Sequence, residues 1–184
     1  MDRDIKSVKA KLIELNYFQY SDSNQVIEET FKDYQNDGRI NFPWDGLNRI
    51  FAIDAESIYE AGGLESHVTG LVELFGKLGI RLEVGECVEE FDNNSSTYTK
   101  REIVINGKNY STPKVNDWGS GFNSGFKLTN LLLEENNFDG RVYGLFMDES
   151  STLIILNKSQ YDYLIELIPE GTEFRPIDIM AMMQ

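Results

Sequence analysis

The spacing of apolar residues predicts helices in the first eighty residues of the chain. Apolar positions recur every three or four residues over Asp4 to Leu15, over about Ser23 to Gln35 and, most regularly, over Leu64 to Leu78. This period is that of an amphipathic helix. A short strand over Asn48 to Ile53 and a brief helix through Ala61, with Asp54 as its N-cap, complete the first half.

The hydrophobic period changes to two from Ile80 onward, which predicts strands. Ile80, Leu82 and Val84 alternate with charged residues, and Arg101 to Ile105 is a second strand. Asn106-Gly107 is the residue pair preferred in a two-residue hairpin turn. The remaining predicted elements are a helix that begins after Gly119–Gly125 and includes Leu131–Leu133, a hairpin from Arg141 to Met147 and Thr152 to Leu156 around Asp148–Ser151, and a helix from Lys158 to Ile168.

Helices come mostly first along the chain and hairpins later, without a regular βαβ rhythm. This order predicts an α+β fold: a largely antiparallel sheet of two hairpins packed with helices, preceded by an N-terminal helical pair. The turn-rich segment 41–46 marks a boundary. Residues 1–40 would form the helical pair, which is too small to fold alone, and residues 41–184 the α+β domain.

Acidic residues exceed basic ones, 31 against 17, and the formal charge is −14. A polyanion such as DNA or RNA would be repelled, so direct nucleic-acid binding is not expected. No apolar run is long enough to span a membrane, no signal-type apolar segment follows Met1, and the single Cys87 excludes an internal disulfide. These features predict a cytoplasmic protein without membrane partners.

Signals for catalysis or for a cofactor are weak. His67 is the only histidine, which excludes a His-rich metal site and favours a structural role. Cys87 lies among glutamates that would raise the pKa of its thiol, so a nucleophile is not expected there. The glycine run Gly119–Gly125 has the spacing GxGxxxG instead of GxGxxG, and a flexible surface loop is favoured over a phosphate cradle. No catalytic residue, metal or cofactor is predicted, although an enzyme using two carboxylates as acid and base remains an alternative.

The densest acidic segment supplies the candidate contact surface. It carries carboxylates without a single basic residue between positions 83 and 92. Such a surface steers a basic partner and raises the association rate. Trp118, beside the glycine run, is the predicted aromatic anchor. The predicted partner-binding residues are Glu83, Glu86, Glu89, Glu90, Asp92 and Trp118.

The N-terminal helices resemble the helical half of a peptidoglycan-binding domain. That family pairs a leucine-rich helix, which ends in an L-G-Y-F-like turn, with a second helix ending in F-Q; here the corresponding segments are Val8 to Phe18 and Thr30 to Gln35. Asn16 replaces the turn glycine, and the D-G-x-x-G core between the helices is missing. The resemblance therefore implies similar helix packing and not wall binding.

The rest of the chain resembles the cytoplasmic immunity proteins that accompany bacterial polymorphic toxins. The resemblance lies in its acidity, its size, its lack of catalytic motifs and its hairpin signature Ile105-Asn106-Gly107-Lys108-Asn109-Tyr110. This resemblance implies a tight one-to-one complex with a toxin domain, often a basic nuclease, whose active site is blocked by an acidic surface. The alternative is a phage-type nucleic-acid mimic that inhibits a host defence enzyme. A mimic would need carboxylates in rows about 6 to 7 Å apart.

Overall fold

A computed structural model describes residues 4–94, 97–112, 117–146 and 150–182. Within these residues the strands form two three-stranded antiparallel sheets, with the orders β1-β6-β5 and β2-β3-β4, so the predicted α+β fold is confirmed. The elements are α1 (Ile5–Glu14), α2 (Asn24–Thr30), α3 (Tyr34–Asp37), α4 (Trp44–Leu47), β1 (Ile50–Asp54), α5 (Ala55–Tyr59), α6 (Gly63–Lys77), β2 (Val84–Asp92), β3 (Thr97–Ile105), β4 (Lys108–Ser111), α7 (Trp118–Glu135), β5 (Arg141–Phe146), β6 (Ser150–Leu156), α8 (Lys158–Leu167) and α9 (Ile179–Met182).

The second predicted helix is interrupted, and its prediction as one continuous helix is wrong. α2 ends at Thr30 and α3 begins at Tyr34. Asn41 explains the break, because its side-chain amide donates to the Glu29 carbonyl at 3.2 Å and its backbone N–H donates to the Thr30 carbonyl at 2.9 Å. In a continuous α-helix these two carbonyls would accept from the N–H groups four residues further on, at positions 33 and 34.

Two local predictions are confirmed at their turn residues. Asp54 caps α5, and its carboxylate accepts a hydrogen bond from the Ser57 N–H at 3.0 Å. Asn106 and Gly107 adopt φ values of 52° and 75° between β3 and β4, the left-handed pair of a type I′ hairpin turn. β2, by contrast, begins at Val84, later than the alternation from Ile80 predicted. The predicted tip of the second hairpin includes residues 147–149, which lie outside the described residues.

The glycine run at 119–125 is helical, so its prediction as a loop is wrong. α7 begins at Trp118 because Asp117 and Ser120 form a capping box, in which the Asp117 carboxylate accepts from the Ser120 N–H at 2.7 Å. A Cβ atom on Gly121 would lie 2.6 Å from the Ala55 carbonyl oxygen, and one on Gly125 would lie 2.6 Å from Ile58 Cδ1. The glycines therefore allow α7 to approach α5, and close packing accounts for them without a phosphate.

One compact unit consists of residues 4–51, 140–146 and 153–182 among those described. The N-terminal helices share a hydrophobic core with β5, β6 and α8 in this unit, and a domain boundary after residue 40 stays a prediction. The buried members of this core are Val8, Leu12, Tyr17, Val26, Phe31, Ile40, Leu47, Ile50, Tyr143, Leu145, Ile154, Leu156, Leu164 and Ile168.

The second unit consists of residues 52–139 and 150–152 among those described. α6 contacts β2, β3 and α7, while α5 packs on α6 and α7. The buried stripe on α6 has the predicted helical spacing, and β3 contributes alternate inward residues. The stripe and the strand positions are Leu64, Val68, Leu71, Phe75, Ile103 and Ile105.

Candidate protein-interaction surface

Among the described residues, β2 lies at an edge of its sheet because it pairs only with β3. The antiparallel register places Glu90 opposite Lys100, Glu89 opposite Arg101 and Val88 opposite Glu102. The register shifts twice along the strand, once near each end. Such irregularities and charged side chains are typical of a sheet edge that avoids unwanted pairing. The hairpin thereby places most of the predicted acidic segment on one strand.

Glu89 points into the unit, in contrast to its acidic neighbours. Its side chain is 11% exposed, whereas that of Arg101 is 1% exposed. One carboxylate oxygen of Glu89 accepts from Arg101 Nε at 2.7 Å, and the other accepts from the Gly62 N–H that precedes α6. The Arg101 guanidinium also lies 4.5 Å from the centre of the Tyr98 ring. Because strand alternation turns Glu89 inward and both its oxygens are bonded, it does not belong to the contact set.

The other predicted acids differ in how freely they face solvent. Glu83 precedes β2 and forms an exposed ion pair with Arg81 at 2.7 Å. Asp92 is partly buried and accepts the Asn94 N–H at 2.9 Å, which stabilises the turn that follows β2. Glu86 and Glu90 are exposed, and neither carboxylate forms an ion pair with a described residue. These two glutamates are the available charges on the strand.

An exposed aromatic residue in the same segment was not predicted. Phe91 is 46% exposed and packs edge-on against the Tyr98 ring, with 5.1 Å between ring centroids. The sequence signal was an aromatic residue inside the acidic stretch Glu89-Glu90-Phe91-Asp92. The side chain of Trp118, the predicted anchor, lies outside the described residues, so Phe91 is the aromatic residue that the structure brings beside the acids.

The acidic strand does not present the continuous row of carboxylates that a nucleic-acid mimic requires. Glu89 is turned inward, and Val88 stands between Glu86 and Glu90 on the strand. Lys100 lies directly across from Glu90, and its Nζ forms an ion pair with the Glu102 carboxylate at 3.2 Å. A positive charge therefore stands beside the carboxylates of this strand. Glu86, Glu90 and Phe91 are the exposed acids and the exposed aromatic residue of β2, and they are called here the β2 surface.

The described residues contain no group of three or more His, Cys, Asp and Glu side chains that could hold a metal ion. Burial raises the pKa of the Cys87 thiol, and the carboxylates of Glu89 and Glu65 raise it further. A reactive thiolate is therefore disfavoured at this position. None of the described helices has the length and apolarity needed to cross a membrane.

The single histidine is held in the packing between α6 and α7. His67 Nε2 lies 3.3 Å from Thr129 Oγ1, and that hydroxyl donates its hydrogen to the Gly125 carbonyl at 2.8 Å. Burial disfavours the imidazolium and lowers the pKa of His67 to about 4, although a bond to the Gly125 backbone acts in the opposite direction.

The buried imidazole predicts a pH dependence of stability. The unfolded imidazole titrates near 6.5, so between pH 7 and pH 5 the unfolded chain gains a proton that the folded ring does not accept. Lowering the pH over this window should reduce the free energy of unfolding by about 2 kcal/mol through His67 alone. Urea unfolding of the wild type and of His67→Gln at both pH values measures this contribution as the difference between their pH responses. Equal pH responses would contradict it.

No family model, curated protein or solved structure gives a significant match to this chain. The resemblances to immunity proteins and to peptidoglycan-binding domains therefore depend on the quoted residues and on the overall character of the sequence. What supports a function is the chemistry of the described surface.

Proposed function

We propose that this protein is an acidic cytoplasmic binding protein of the immunity type, which neutralises a basic toxin domain by covering its surface. No bond is made or broken in this function. The observation that carries the proposal is the β2 surface, in which exposed Glu86 and Glu90 lie on the same strand as Phe91, which is 46% exposed. The −14 charge of the whole chain adds a long-range attraction for a positively charged partner.

The two kinds of side chain would contribute differently to binding. Carboxylates at the rim of an interface mainly accelerate association, and their effect weakens as salt screens them. A large aromatic side chain that becomes desolvated in the complex mainly slows dissociation. Phe91 is already supported by Tyr98, so it loses little side-chain freedom when a partner covers it.

The function is tested at the genetic locus. The product of the reading frame beside this gene is expressed in a heterologous host, alone and together with this protein. We expect growth arrest by the neighbouring product alone, rescue on co-expression and a one-to-one complex by size-exclusion chromatography with light scattering. A neighbouring product that forms no complex and whose effect is not relieved would count against an immunity role.

The charge contribution is tested with two double variants that remove equal charge. Glu86→Gln with Glu90→Gln should slow association with the purified partner about threefold at low salt, because the missing charges face it directly. Glu170→Gln with Glu173→Gln removes two exposed carboxylates from the other unit and should leave the rate nearly unchanged. Stopped-flow measurements at low and high salt provide both rates. An equal effect of the two pairs would show that only total charge matters.

The aromatic contribution is tested by Phe91→Ala. Truncating an anchor at the centre of an interface costs about 1 to 2 kcal/mol, which corresponds to roughly tenfold faster dissociation. Association should change much less. Surface plasmon resonance separates the two rates, and circular dichroism checks that the β2–β3 hairpin is intact. Unchanged dissociation in a folded variant would remove Phe91 from the interface.

A further inference from the structure

The turn between β3 and β4 contains the single Asn-Gly pair of the sequence, Asn106-Gly107. Asparagine is chemically labile, and it deamidates most readily before glycine, because glycine has no side chain to shield its backbone nitrogen from the asparagine carboxamide. Both residues are exposed, and a Cβ atom on Gly107 would meet nothing within 4 Å. Water therefore has access to both reacting residues.

The segment that precedes β2 holds the Asn106 carboxamide in place. Its Oδ1 accepts a hydrogen bond from the Glu83 N–H at 2.7 Å, and its Nδ2 donates to the Arg81 carbonyl at 3.4 Å. The backbone N–H of Asn106 also donates to the Glu83 carbonyl at 2.8 Å. These hydrogen bonds join one turn residue to the backbone of segment 81–83, and we call this contact the Asn106 clamp.

The positive φ of Asn106 explains why its side chain makes these bonds. Val84 pairs with Ile105, so a regular antiparallel ladder would next bring the Glu83 N–H to the backbone carbonyl of Asn106. At a φ of 52° Asn106 has left the extended conformation, and its carboxamide oxygen accepts from Glu83 in place of that carbonyl. The carboxamide is therefore part of the pairing between β2 and β3, and it turns toward Gly107 only when the clamp opens.

Deamidation at this position consumes water and releases ammonia. The Gly107 backbone nitrogen gives up its proton and bonds to Asn106 Cγ. The bond from Cγ to Nδ2 breaks, and Nδ2 leaves as ammonia with that proton. Water then opens the resulting succinimide ring at one of its two carbonyl carbons. One product is aspartate, and the other is isoaspartate, in which the main chain passes through the former side chain and is one atom longer.

We propose that Asn106 is a deamidation site that the clamp protects, so that the modified residue forms only in chains whose segment 81–83 has separated from the turn. Local opening of this kind occurs in native proteins without global unfolding. Isoaspartate lengthens a two-residue turn whose length fixes the register of β3 with β4, so the original pairing is not restored and the opening becomes irreversible. This site does not depend on the proposed contact with a basic toxin.

The protection is tested in the full chain against a second Asn-Gly pair as matched control. Glu170→Asn creates this pair before Gly171, whose φ is also positive, at 75°. Glu170 is exposed, and its side chain forms no hydrogen bond with a described residue, so the new asparagine has no clamp.

The variant is incubated at mildly alkaline pH, and peptide mapping by mass spectrometry measures deamidation at both positions. Each rate is divided by the rate at the same position in the chain unfolded by guanidinium chloride. We expect this ratio to be at least about tenfold lower for Asn106 than for position 170, because the hydrogen bonds of the clamp must break first. Equal ratios at the two positions would overturn the proposal.

Hydrogen exchange in the wild-type protein connects the protection to the clamp itself. The Glu83 N–H exchanges with solvent when its bond to Asn106 Oδ1 opens. Across guanidinium chloride concentrations below the unfolding transition, Glu83 exchange measured by NMR and Asn106 deamidation should therefore change by the same factor. Deamidation that stays constant while Glu83 exchange accelerates would overturn the proposal, and so would isoaspartyl protein whose Glu83 N–H is still protected.

Discussion

Replacing Arg49 with methionine is expected to lower the free energy of unfolding by about 4 kcal/mol, because the change leaves buried acceptors without a donor. Arg49 is 2% exposed. Its guanidinium donates to the Ile155 carbonyl and the Gln160 side chain at 3.0 Å each and to the Asn16 carbonyl at 3.1 Å. It therefore connects the end of α1 with β6 and α8.

The setting of Arg49 explains why its loss should be so costly. The Tyr17 and Tyr20 rings lie 5.6 and 5.1 Å from the guanidinium and provide cation–π contacts in place of a carboxylate. Burial lowers the pKa of Arg49, yet the group remains charged at all accessible pH values. Gln160, itself buried, donates to the Leu15 carbonyl at 2.9 Å, so one substitution disturbs a connected network.

The control for Arg49→Met is the same substitution at Arg81. Arg81 is 86% exposed at its side chain and pairs with Glu83 across open solvent. Exposed ion pairs contribute little, so Arg81→Met should change stability by less than about 0.5 kcal/mol. Urea denaturation followed by circular dichroism compares the two variants at one pH. A loss below about 1 kcal/mol in Arg49→Met would mean that water replaces the guanidinium as donor.

Alanine at Gly63 should cost about 3 kcal/mol or more, because a methyl group there has no space. A Cβ atom on Gly63 would lie 1.8 Å from the Ser57 carbonyl oxygen and 2.8 Å from Ile58 Cα. Both neighbours are backbone atoms of α5, which cannot rotate away as a side chain can. The first turn of α6 would have to move relative to α5.

Gly70, on the same helix, provides the matched comparison for Gly63. It is exposed, and a Cβ atom there would meet nothing within 4 Å. Alanine has the higher helix propensity, so Gly70→Ala should raise the free energy of unfolding by up to about 1 kcal/mol. If the contact between α5 and α6 decides the outcome, chemical denaturation should show changes of opposite sign in the free energy of unfolding for the two variants. If Gly63→Ala stabilised the protein as Gly70→Ala does, the result would contradict the close approach of Gly63 to the backbone of α5.

Elements whose causes lie within a few residues could be predicted. The Asp54 cap of α5 depends on Ser57, and the hairpin turn depends on the tolerance of Asn106 and Gly107 for positive φ. The helical period of α6 was equally visible because its buried stripe occupies one face of one element. In such places the residue types and their spacing carry the physical cause.

Elements decided by distant partners could not be predicted. Asn41 interrupts the second predicted helix by bonding to its carbonyls from outside it, and Ala55 explains the glycines of α7 through a contact far along the chain. The direction in which a glutamate of β2 points depended on its register with β3, which placed Glu89 against Arg101 and left Glu90 exposed.

The amino-acid sequence alone established the α+β class, the acidic character and the segment that carries the densest carboxylates, because composition and short-range periodicity are local properties. Tertiary packing alone determined which carboxylates remain available and that Phe91 is exposed on the same strand. These features depend on which side chain faces which neighbour, and pairings between residues far apart in the chain are specified only when the backbone has folded.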